Sequence, residues 1–211
     1  MTAFEALLVS RPEYKEIVFA SKNRGKIREL NALLEGINIT LSSLYDYTDA
    51  PDIIEDGRTF LENALKKARV ISDYAGRTVI ADDSGLEVDY LEGAPGIHSA
   101  RYSGAGATDE KNIRKLLEEL EGVSVEKRGA AFKCALVLYR TDGTFETFEG
   151  KLEGTIATEQ AGSEGFGYDP VFIVPEYGKT VAQIDPDTKN RISHRAMAFA
   201  KLKKSLQEQD E

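Results

Sequence analysis

Of the 211 residues in the chain, 41% are hydrophobic and 30% are charged, which suits one well-packed domain with a water-exposed surface. Lysine and arginine number 27 against 36 aspartates and glutamates, so the formal net charge is −9. This balance argues against general nucleic-acid binding, which needs a basic face, but a locally basic pocket for a small phosphorylated ligand is still allowed. A single cysteine, Cys134, excludes an internal disulfide and favours a reducing compartment.

No targeting or membrane-spanning segment is expected from the sequence. No apolar run approaches the roughly 20 residues that cross a bilayer. The opening residues contain Glu5 inside a short apolar stretch, unlike a signal peptide. We therefore expect a cytoplasmic protein with no membrane partner. Residues 1–16 are expected to form an N-terminal extension, 17–206 a single domain, and 207–211 a frayed tail.

The predicted secondary structure alternates between strands and helices in the first half and then forms a hairpin. Asp142-Gly143 is a hairpin turn signal, and Thr59 with Glu62 is a capping-box signature at a helix start. In chain order, strands are expected at 17–20, 37–44, 78–81, 130–139, 144–155 and 171–174, and helices at 26–34, between Thr59 and Gly76, at 109–121 and at 193–206. This order predicts an α/β fold, one domain built on a mixed β-sheet.

The turn before the first predicted helix carries an unusual charge pattern. Backbone N–H groups at a helix start are unpaired and partly positive, so they favour anions. Here Lys22, Arg24 and Lys26 lie at or just before that end, which indicates a bound phosphate. The segment is not a Walker A loop, because Ala20 stands where the first glycine belongs and Ile27 follows Lys26. The alternative is three solvated side chains.

Two adjacent carboxylates, Asp82 and Asp83, follow a buried-looking strand. Carboxylates at that edge of an α/β sheet suit a hard cation such as Mg²⁺. If the backbone stays extended, the two side chains point to opposite faces of the sheet, so only one of them can bind a given cation directly. Glu55 or Asp56 could supply a further carboxylate. The alternative is an Asp-Ser-Gly turn with capping aspartates.

A second helix start repeats the charge mismatch. Ser193 is a good N-cap, yet His194 and Arg195 follow it in the first turn. An arginine fork beside an imidazole suits a phosphate or a carbonyl-rich ring. The alternative is that the pair simply decorates the surface.

An aromatic residue between two glycines, Phe166, could stack on a heterocyclic base, and Asp169 could accept from ring N–H groups. Equally, the segment could be a hairpin connection with the phenyl ring in the core. We interpret His98 and Cys134 as structural residues, and with two histidines and one cysteine a zinc site is improbable. The three segments together describe a nucleotide-binding cleft.

Five motifs occur in the order of a known enzyme family: Ser21-x-Asn23-x-x-Lys26, Asp82-Asp83-Ser84-Gly85-Leu86, Gly93-Ala94-Pro95-Gly96 with Ser99-Ala100-Arg101-Tyr102, Phe166-Gly167-Tyr168-Asp169-Pro170 and Ser193-His194-Arg195. From about Ile17 to Leu206 the chain closely resembles the inosine/xanthosine triphosphate pyrophosphatases, the non-canonical purine NTP pyrophosphatases. The resemblance implies an elongated α/β domain with two lobes around a central cleft, a twisted mixed sheet flanked by helices, and a homodimer. It also implies Mg²⁺-dependent hydrolysis of ITP, dITP and XTP to the monophosphate and pyrophosphate, which cleanses the nucleotide pool.

The resemblance also assigns roles to individual residues. Glu55 and Asp83 would hold Mg²⁺, Asp83 would be the general base, and Lys26 would neutralise the leaving group. The triphosphate would be held by Ser21, Lys22, Asn23, Arg24, Gly25 and Lys26. Lys67 would face the phosphates, and Ser84 would contact the substrate. The base would be bound by Phe166, Gly167, Tyr168 and Asp169, with Lys189, His194 and Arg195 completing the pocket.

Small departures from the family pattern occur at His98, where an aromatic residue is more usual, and at Lys22, where glycine is frequent. Neither departure removes a proposed catalytic group. Two alternatives stay open at this point: a catalytically silent nucleotide-binding or sensing protein, and a pyrophosphatase for modified pyrimidine nucleotides.

Overall fold

A computed structural model describes residues 15–37 and 39–208. In this part of the chain seven strands form one sheet in the order β2-β1-β3-β4-β5-β6-β7. The strands are β1 (Lys15–Phe19), β2 (Ile39–Ser43), β3 (Val79–Val88), β4 (Gly129–Tyr139), β5 (Phe145–Ile156), β6 (Phe172–Val174) and β7 (Lys179–Thr180). β1 runs parallel to β2 and β3, whereas the pairs from β3 to β7 are antiparallel. The predicted single α/β domain with a mixed sheet is confirmed.

Helices pack on the sheet and begin at side-chain caps. They are α1 (Arg24–Leu33), α2 (Phe60–Ala75), α3 (Asp109–Glu119), α4 (Pro186–Ile192) and α5 (His194–Glu208). Asn23, Thr59, Thr108 and Asp185 accept backbone N–H bonds at the first four starts, and Ser193 Oγ accepts from Ala196 N at the fifth. Among the described residues, no helix is long and apolar enough to cross a bilayer.

The apolar face of β3 is interrupted by polar residues between two core clusters. Ile80 packs in a cluster with α1 and α5, whereas Leu86 and Val88 pack in a cluster with α3. Asp82 and Ser84 lie between them on the same face, because side chains alternate along the strand. A third cluster packs α2 against the opposite face. The polar gap between the two cores on one face positions the candidate site.

β3 is longer than predicted. The sequence predicted a strand over 78–81, with an Asp-Ser-Gly turn as one alternative for the residues after it, but residues 82–85 continue the strand. Each of them pairs in register with β4, from Asp82 with Leu136 to Gly85 with Lys133. The antiparallel ladder therefore overrides the local turn preference of Asp, Ser and Gly.

Helix α4 was missed and several boundaries differ. Asp185 followed by Pro186 is a typical helix start, and the helix it opens is short. α1 begins at Arg24, two residues earlier than predicted, because the Asn23 side chain caps it. Gln207 and Glu208 continue α5 where a frayed tail was expected, and most of the predicted N-terminal extension lies outside the described residues.

Gly150→Ala is expected to destabilise the protein by about 1–3 kcal/mol, because a Cβ at this β5 position would meet the α5 backbone. It would overlap the His194 carbonyl oxygen and lie 2.8 Å from Ala198 N. The urea midpoint of Gly150→Ala should be lower than that of Gly129→Ala. At Gly129 the atom nearest to an added Cβ is a carboxylate oxygen of Asp89 at 2.5 Å, and this side chain can move aside. Equal midpoints would contradict this account of the β5–α5 contact.

Candidate active site

One cavity of about 390 Å³ brings the predicted motifs together. Of the predicted site residues, all but Arg24 and Gly25 line it. Those that do are Ser21, Lys22, Asn23, Lys26, Glu55, Lys67, Asp83, Ser84, Phe166, Gly167, Tyr168, Asp169, Lys189, His194 and Arg195. Arg24 is exposed, with its guanidinium 5.7 Å from the centre of the Tyr45 ring, and Gly25 lies under Phe166, where a Cβ would approach the ring to 2.7 Å.

The start of α1 is already capped by its own chain. Asn23 Oδ1 accepts from Gly25 N at 2.8 Å and from Lys26 N at 3.1 Å, and Ser21 Oγ accepts from Asn23 N at 3.1 Å. The expectation that open amides at this helix start attract an anion is therefore wrong for these two N–H groups. The charged groups that remain for a phosphate here are side chains, chiefly Lys26.

Asp82 is a buried counter-charge on the α1 and α5 side of the sheet. It is 1% exposed and pairs with Lys26 Nζ at 2.9 Å and Arg195 Nε at 3.3 Å. Burial alone would raise the pKa of Asp82, but Lys26, Arg195 and Lys67 together hold it well below the ordinary carboxylate value. Asp82 is therefore ionised and committed to these two cations.

Asp83 points to the opposite face, toward α2, as the strand alternation predicted. It accepts from Asn63 Nδ2 and from Ser84 N, both at 3.0 Å, and lies 3.5 Å from Lys67 Nζ. Burial raises the pKa of Asp83 above the ordinary value, although Lys67 and Lys26 oppose the shift. A carboxylate with a raised pKa is a better proton acceptor than an exposed one.

Glu55 and Asp83 already share one cation, the ammonium group of Lys67. Lys67 Nζ lies 2.7 Å from Glu55 Oε1, and Arg101 Nη1 lies 3.6 Å from Glu55 Oε2. Burial would lower the pKa of Lys67, but the nearby carboxylates, led by Asp83, raise it. Two carboxylates that hold a cation between them fit a hard divalent ion with oxygen ligands.

No group of three or more His, Cys, Asp and Glu side chains forms a metal cage within residues 15–37 and 39–208. A pair of carboxylates is nevertheless the usual protein contribution to Mg²⁺ when substrate phosphates supply the other ligands. The Glu55 and Asp83 pair is compatible with that kind of site.

Asn63 is a site residue that the sequence analysis missed. Its side chain is fully buried and bridges two elements: Nδ2 donates to Asp83 Oδ2 at 3.0 Å, and Oδ1 accepts from Gly57 N at 2.8 Å. It thereby fixes the Asp83 carboxylate relative to the loop that carries Glu55. Asn63 and Lys67 are four residues apart on the buried face of α2, and such a polar pair on an apolar face was the available signal.

The loop around Phe166 is held by side-chain contacts to its backbone. Asp169 Oδ2 accepts from Phe166 N at 2.8 Å and from Lys189 Nζ at 2.7 Å, and Asp109 Oδ2 accepts from Gly167 N at 2.7 Å. One carboxylate oxygen of Asp169 therefore positions the loop, and the expectation that Asp169 accepts from a base stays a prediction. The Tyr168 hydroxyl, which donates to Ser99 O at 2.9 Å, is also part of this support.

Phe166 is half-buried and its ring has two cations beside it. Lys189 Nζ lies 4.7 Å and Arg195 Cζ lies 5.7 Å from the ring centre. Both cations also bind Glu29 of α1, with Lys189 Nζ at 2.8 Å from Glu29 Oε1. Burial opposes ionisation of Glu29, yet Arg195 and Lys189 lower its pKa. Glu29 was also missed, since nothing local in the sequence links α1 to residues so distant along the chain.

His194 and Arg195 are both buried, so the alternative that they decorate the surface is wrong. Arg195 Nη2 donates to Ser84 Oγ at 3.0 Å, which joins α5 to β3. His194 stacks on Phe132 with ring centres 5.0 Å apart. Burial, assisted by Arg195, lowers the pKa of His194 well below its ordinary value, so its ring is neutral at pH 7. Its Nδ1 has no hydrogen-bond partner among the described residues.

Known proteins resemble this chain over most of its length. It is 51% identical over 190 residues to a dITP/XTP pyrophosphatase from Geobacter sulfurreducens, covering 90% of this chain and 96% of that protein. It is also 51% identical over 194 residues to a dITP/XTP pyrophosphatase from Geobacillus kaustophilus, covering 92% of this chain and 95% of that protein.

Solved structures agree with the sequence comparisons. A HAM1 protein from Coxiella burnetii superimposes with a TM-score of 0.85 at 42% identity, covering 92% of this chain and 99% of that one. The Ham1 protein of Staphylococcus aureus superimposes with a TM-score of 0.84 at 41% identity, covering 92% of this chain and 100% of that one. A sequence profile of the Ham1 family matches residues 17–205. The chain therefore belongs to the Ham1 family.

Proposed function

We propose that this protein hydrolyses non-canonical purine nucleoside triphosphates, dITP, ITP and XTP, to the monophosphate and pyrophosphate. The observation that carries the proposal is that Lys26, Asp83 and Arg195, from three separate motifs, line one cavity together with Phe166. The relatives named dITP/XTP pyrophosphatases support the same substrate class. A homodimer in the cytoplasm, as the resemblance and the composition predict, is part of this proposal.

The cavity has a charged end and an aromatic face. At the charged end Lys26 and Lys67 lie beside Asp82, Glu55 and Asp83, which suits a triphosphate and its counter-ion. Phe166 offers the aromatic face, with Lys189 and Arg195 beside its ring, and Arg195 joins the two parts because it also binds Asp82 at 3.3 Å. A purine would stack on Phe166, with its phosphates extending toward Lys26 and Lys67.

Asp83 acts in this proposal as the general base. A water oxygen forms a bond to the α-phosphorus, its proton passes to the Asp83 carboxylate, and the bond from the α-phosphorus to the bridging oxygen breaks. Lys26 neutralises charge on the departing pyrophosphate. Glu55 and Asp83 are the residues that would hold a divalent ion, and Mg²⁺ would supply further neutralisation of the phosphate oxygens. Asn63 keeps the Asp83 carboxylate in place.

Selection of the base would come from cationic donors near Phe166. Lys189 binds Glu29 and Asp169 through its ammonium group, and Arg195 binds Asp82, Glu29 and Ser84 through its guanidinium group. Each side chain has further N–H groups beyond these contacts, and those N–H groups match the 6-oxo group of hypoxanthine and xanthine, because they donate hydrogen bonds and accept none. Adenine presents an amino group at that position and would leave the donors unpaired, which costs about 1–3 kcal/mol for each buried group.

The proposal is tested by incubating the protein with dITP, XTP, ITP, GTP and ATP in Mg²⁺ and detecting orthophosphate and pyrophosphate separately. We expect pyrophosphate from dITP, ITP and XTP, and slower turnover of ATP by a factor of about ten to a hundred. Orthophosphate as the sole product would place the attack at the γ-phosphorus. Equal rates for ATP and dITP would contradict the role of Lys189 and Arg195, and binding without any product would indicate a nucleotide sensor.

A further inference from the structure

We propose that the Lys67 ammonium and the divalent ion compete for Glu55 and Asp83, so that loading of metal and triphosphate moves Lys67 from these carboxylates to a phosphate. Lys67 would thus hold the carboxylate pair together while the site is empty and then contribute its charge to the substrate. The inference rests on the metal-binding role of Glu55 and Asp83 proposed above.

The geometry places a single ammonium group between both carboxylates. Lys67 Nζ is 2.7 Å from Glu55 Oε1 and 3.5 Å from Asp83 Oδ1. The Lys67 and Asp83 side chains are each 9% exposed, and that of Glu55 is 30% exposed. Water therefore screens this group of charges poorly, and Lys67 is the cation that both carboxylates share, while Glu55 has a second, more distant cation in Arg101, at 3.6 Å.

A divalent ion cannot bind tightly to Glu55 and Asp83 while the Lys67 ammonium stays between them. A metal bound to oxygens of Glu55 and Asp83 would lie close to the Lys67 ammonium, and like charges repel strongly at a poorly hydrated site. Either the ion binds weakly or the ammonium moves away. A lysine side chain has four methylene groups, so its ammonium can move while its backbone stays in α2.

The triphosphate offers the displaced ammonium a new partner. Lys67 lines the same cavity as Lys26, at the end assigned to the phosphates. Lys26 has its own carboxylate in Asp82, at 2.9 Å, so it is not forced to move when Glu55 and Asp83 change partners. Metal and triphosphate should therefore bind more tightly together than separately, because each removes an obstacle to the other.

Lys67→Met and Lys66→Met form a matched pair for the test. Lys66 is the neighbouring lysine on α2, and its Nζ lies 2.6 Å from Asp56, the neighbour of Glu55. Both substitutions remove one positive charge near the loop, but only Lys67→Met frees the Glu55 and Asp83 pair. The paramagnetic signal of free Mn²⁺ measures binding of the ion without any nucleotide. We expect Mn²⁺ to bind about tenfold more tightly to Lys67→Met than to the unmodified protein. Lys66→Met should change it by less than about twofold.

Binding of inorganic tripolyphosphate tests the other half of the proposal, the contact between Lys67 and a phosphate. At saturating Mn²⁺, the affinity for tripolyphosphate should fall about tenfold in Lys67→Met and remain nearly unchanged in Lys66→Met. Without metal the loss in Lys67→Met should be smaller, because Glu55 and Asp83 then still hold the Lys67 ammonium in the unmodified protein. Mn²⁺ should also raise the melting temperature of Lys67→Met more than that of the unmodified protein. If Lys67→Met does not fold, Lys67→Gln removes the same charge and keeps a hydrogen-bond donor for Glu55.

Mn²⁺ binding to Lys67→Met that is no tighter than to Lys66→Met overturns the proposal, and so does the absence of Mn²⁺ binding in both. These titrations contain no nucleotide and do not depend on which triphosphate is hydrolysed. The unmodified protein could release pyrophosphate from dITP and still fail this test. Failure of the lysine exchange is therefore distinguishable from failure of the proposed function.

Discussion

Asp83→Asn is expected to lower the turnover of dITP by about a thousandfold, because it removes the proposed general base and half of the metal pair together. The substitution keeps the shape of the side chain, so the cavity and its other charges should stay in place. Steady-state release of pyrophosphate at saturating dITP and Mg²⁺ measures the loss. Turnover near that of the unmodified protein would contradict the role of Asp83.

The same substitution also has a predictable cost in stability. The Asp83 carboxylate accepts from Asn63 Nδ2 through one oxygen and from Ser84 N through the other, both at 3.0 Å. An amide has one oxygen, so in either orientation its NH₂ group faces a donor. This mismatch should destabilise the fold by about 1–3 kcal/mol, measured by urea unfolding.

A paired substitution separates these two effects. In Asn63→Asp combined with Asp83→Asn, the amide at position 83 can donate to the carboxylate at position 63. That carboxylate can also accept from Gly57 N, as the Asn63 side chain does at 2.8 Å in the unmodified protein. We expect most of the lost stability to return while turnover stays low, because the carboxylate has moved from β3 to α2. Stability and turnover returning together would show that the single variant failed through folding and not through chemistry.

Local signals in the sequence predicted much of the fold. Thr59 and Ser193 do cap their helices, and the hairpin at Asp142-Gly143 joins β4 and β5. Caps and tight turns depend on a few neighbouring residues, so a short window contains the information. The capping box at Thr59 is only half present, because Glu62 accepts from Arg58 N instead of from Thr59 N.

The partners of the charged residues could not be predicted in the same way. The motif pattern indicated that Lys26, Asp83 and Arg195 belong to one site, but not that Asp82 lies between Lys26 and Arg195. Asp82 and Arg195 are 113 positions apart, and their contact depends on α5 packing across β4 and β5, which brings Arg195 within reach of β3. Propensity and periodicity describe neighbours along the chain, whereas this ion pair is a product of tertiary packing.

For the same reason, the length of β3 was misjudged and the contacts of Asp169 within the protein could not be predicted. Asp82 to Gly85 have the composition of a turn, and only the neighbouring β4 strand makes them extended. Asp169 has the chemistry to read a base, and in the fold one of its oxygens also accepts from Lys189 and from the Phe166 amide. Residue type limits what a side chain can bind, and the fold decides which of the possible partners is within reach.

Asp82→Asn is expected to destabilise the protein by about 3–5 kcal/mol, because it leaves buried cations without their counter-charge. Lys26 would lose the carboxylate now 2.9 Å away, and Arg195 would keep only Glu29. Urea unfolding at neutral pH measures the change. Glu153→Gln is the control, since it breaks an ion pair of similar length, 2.6 Å to Lys151, between two exposed side chains, and should change stability little.

The pH dependence of this difference tests its electrostatic origin. The pKa of Asp82 is lower in the folded protein than its ordinary value of 3.8, because the attraction of Lys26, Arg195 and Lys67 outweighs burial. Its contribution is therefore fully present above about pH 5 and is lost as the pH falls through the folded pKa. The stability difference between the unmodified protein and Asp82→Asn should stay constant from about pH 8 to pH 5 and shrink only below about pH 4. A difference that already disappears near pH 6 would mean that Asp82 is protonated there, which is incompatible with its place between Lys26 and Arg195.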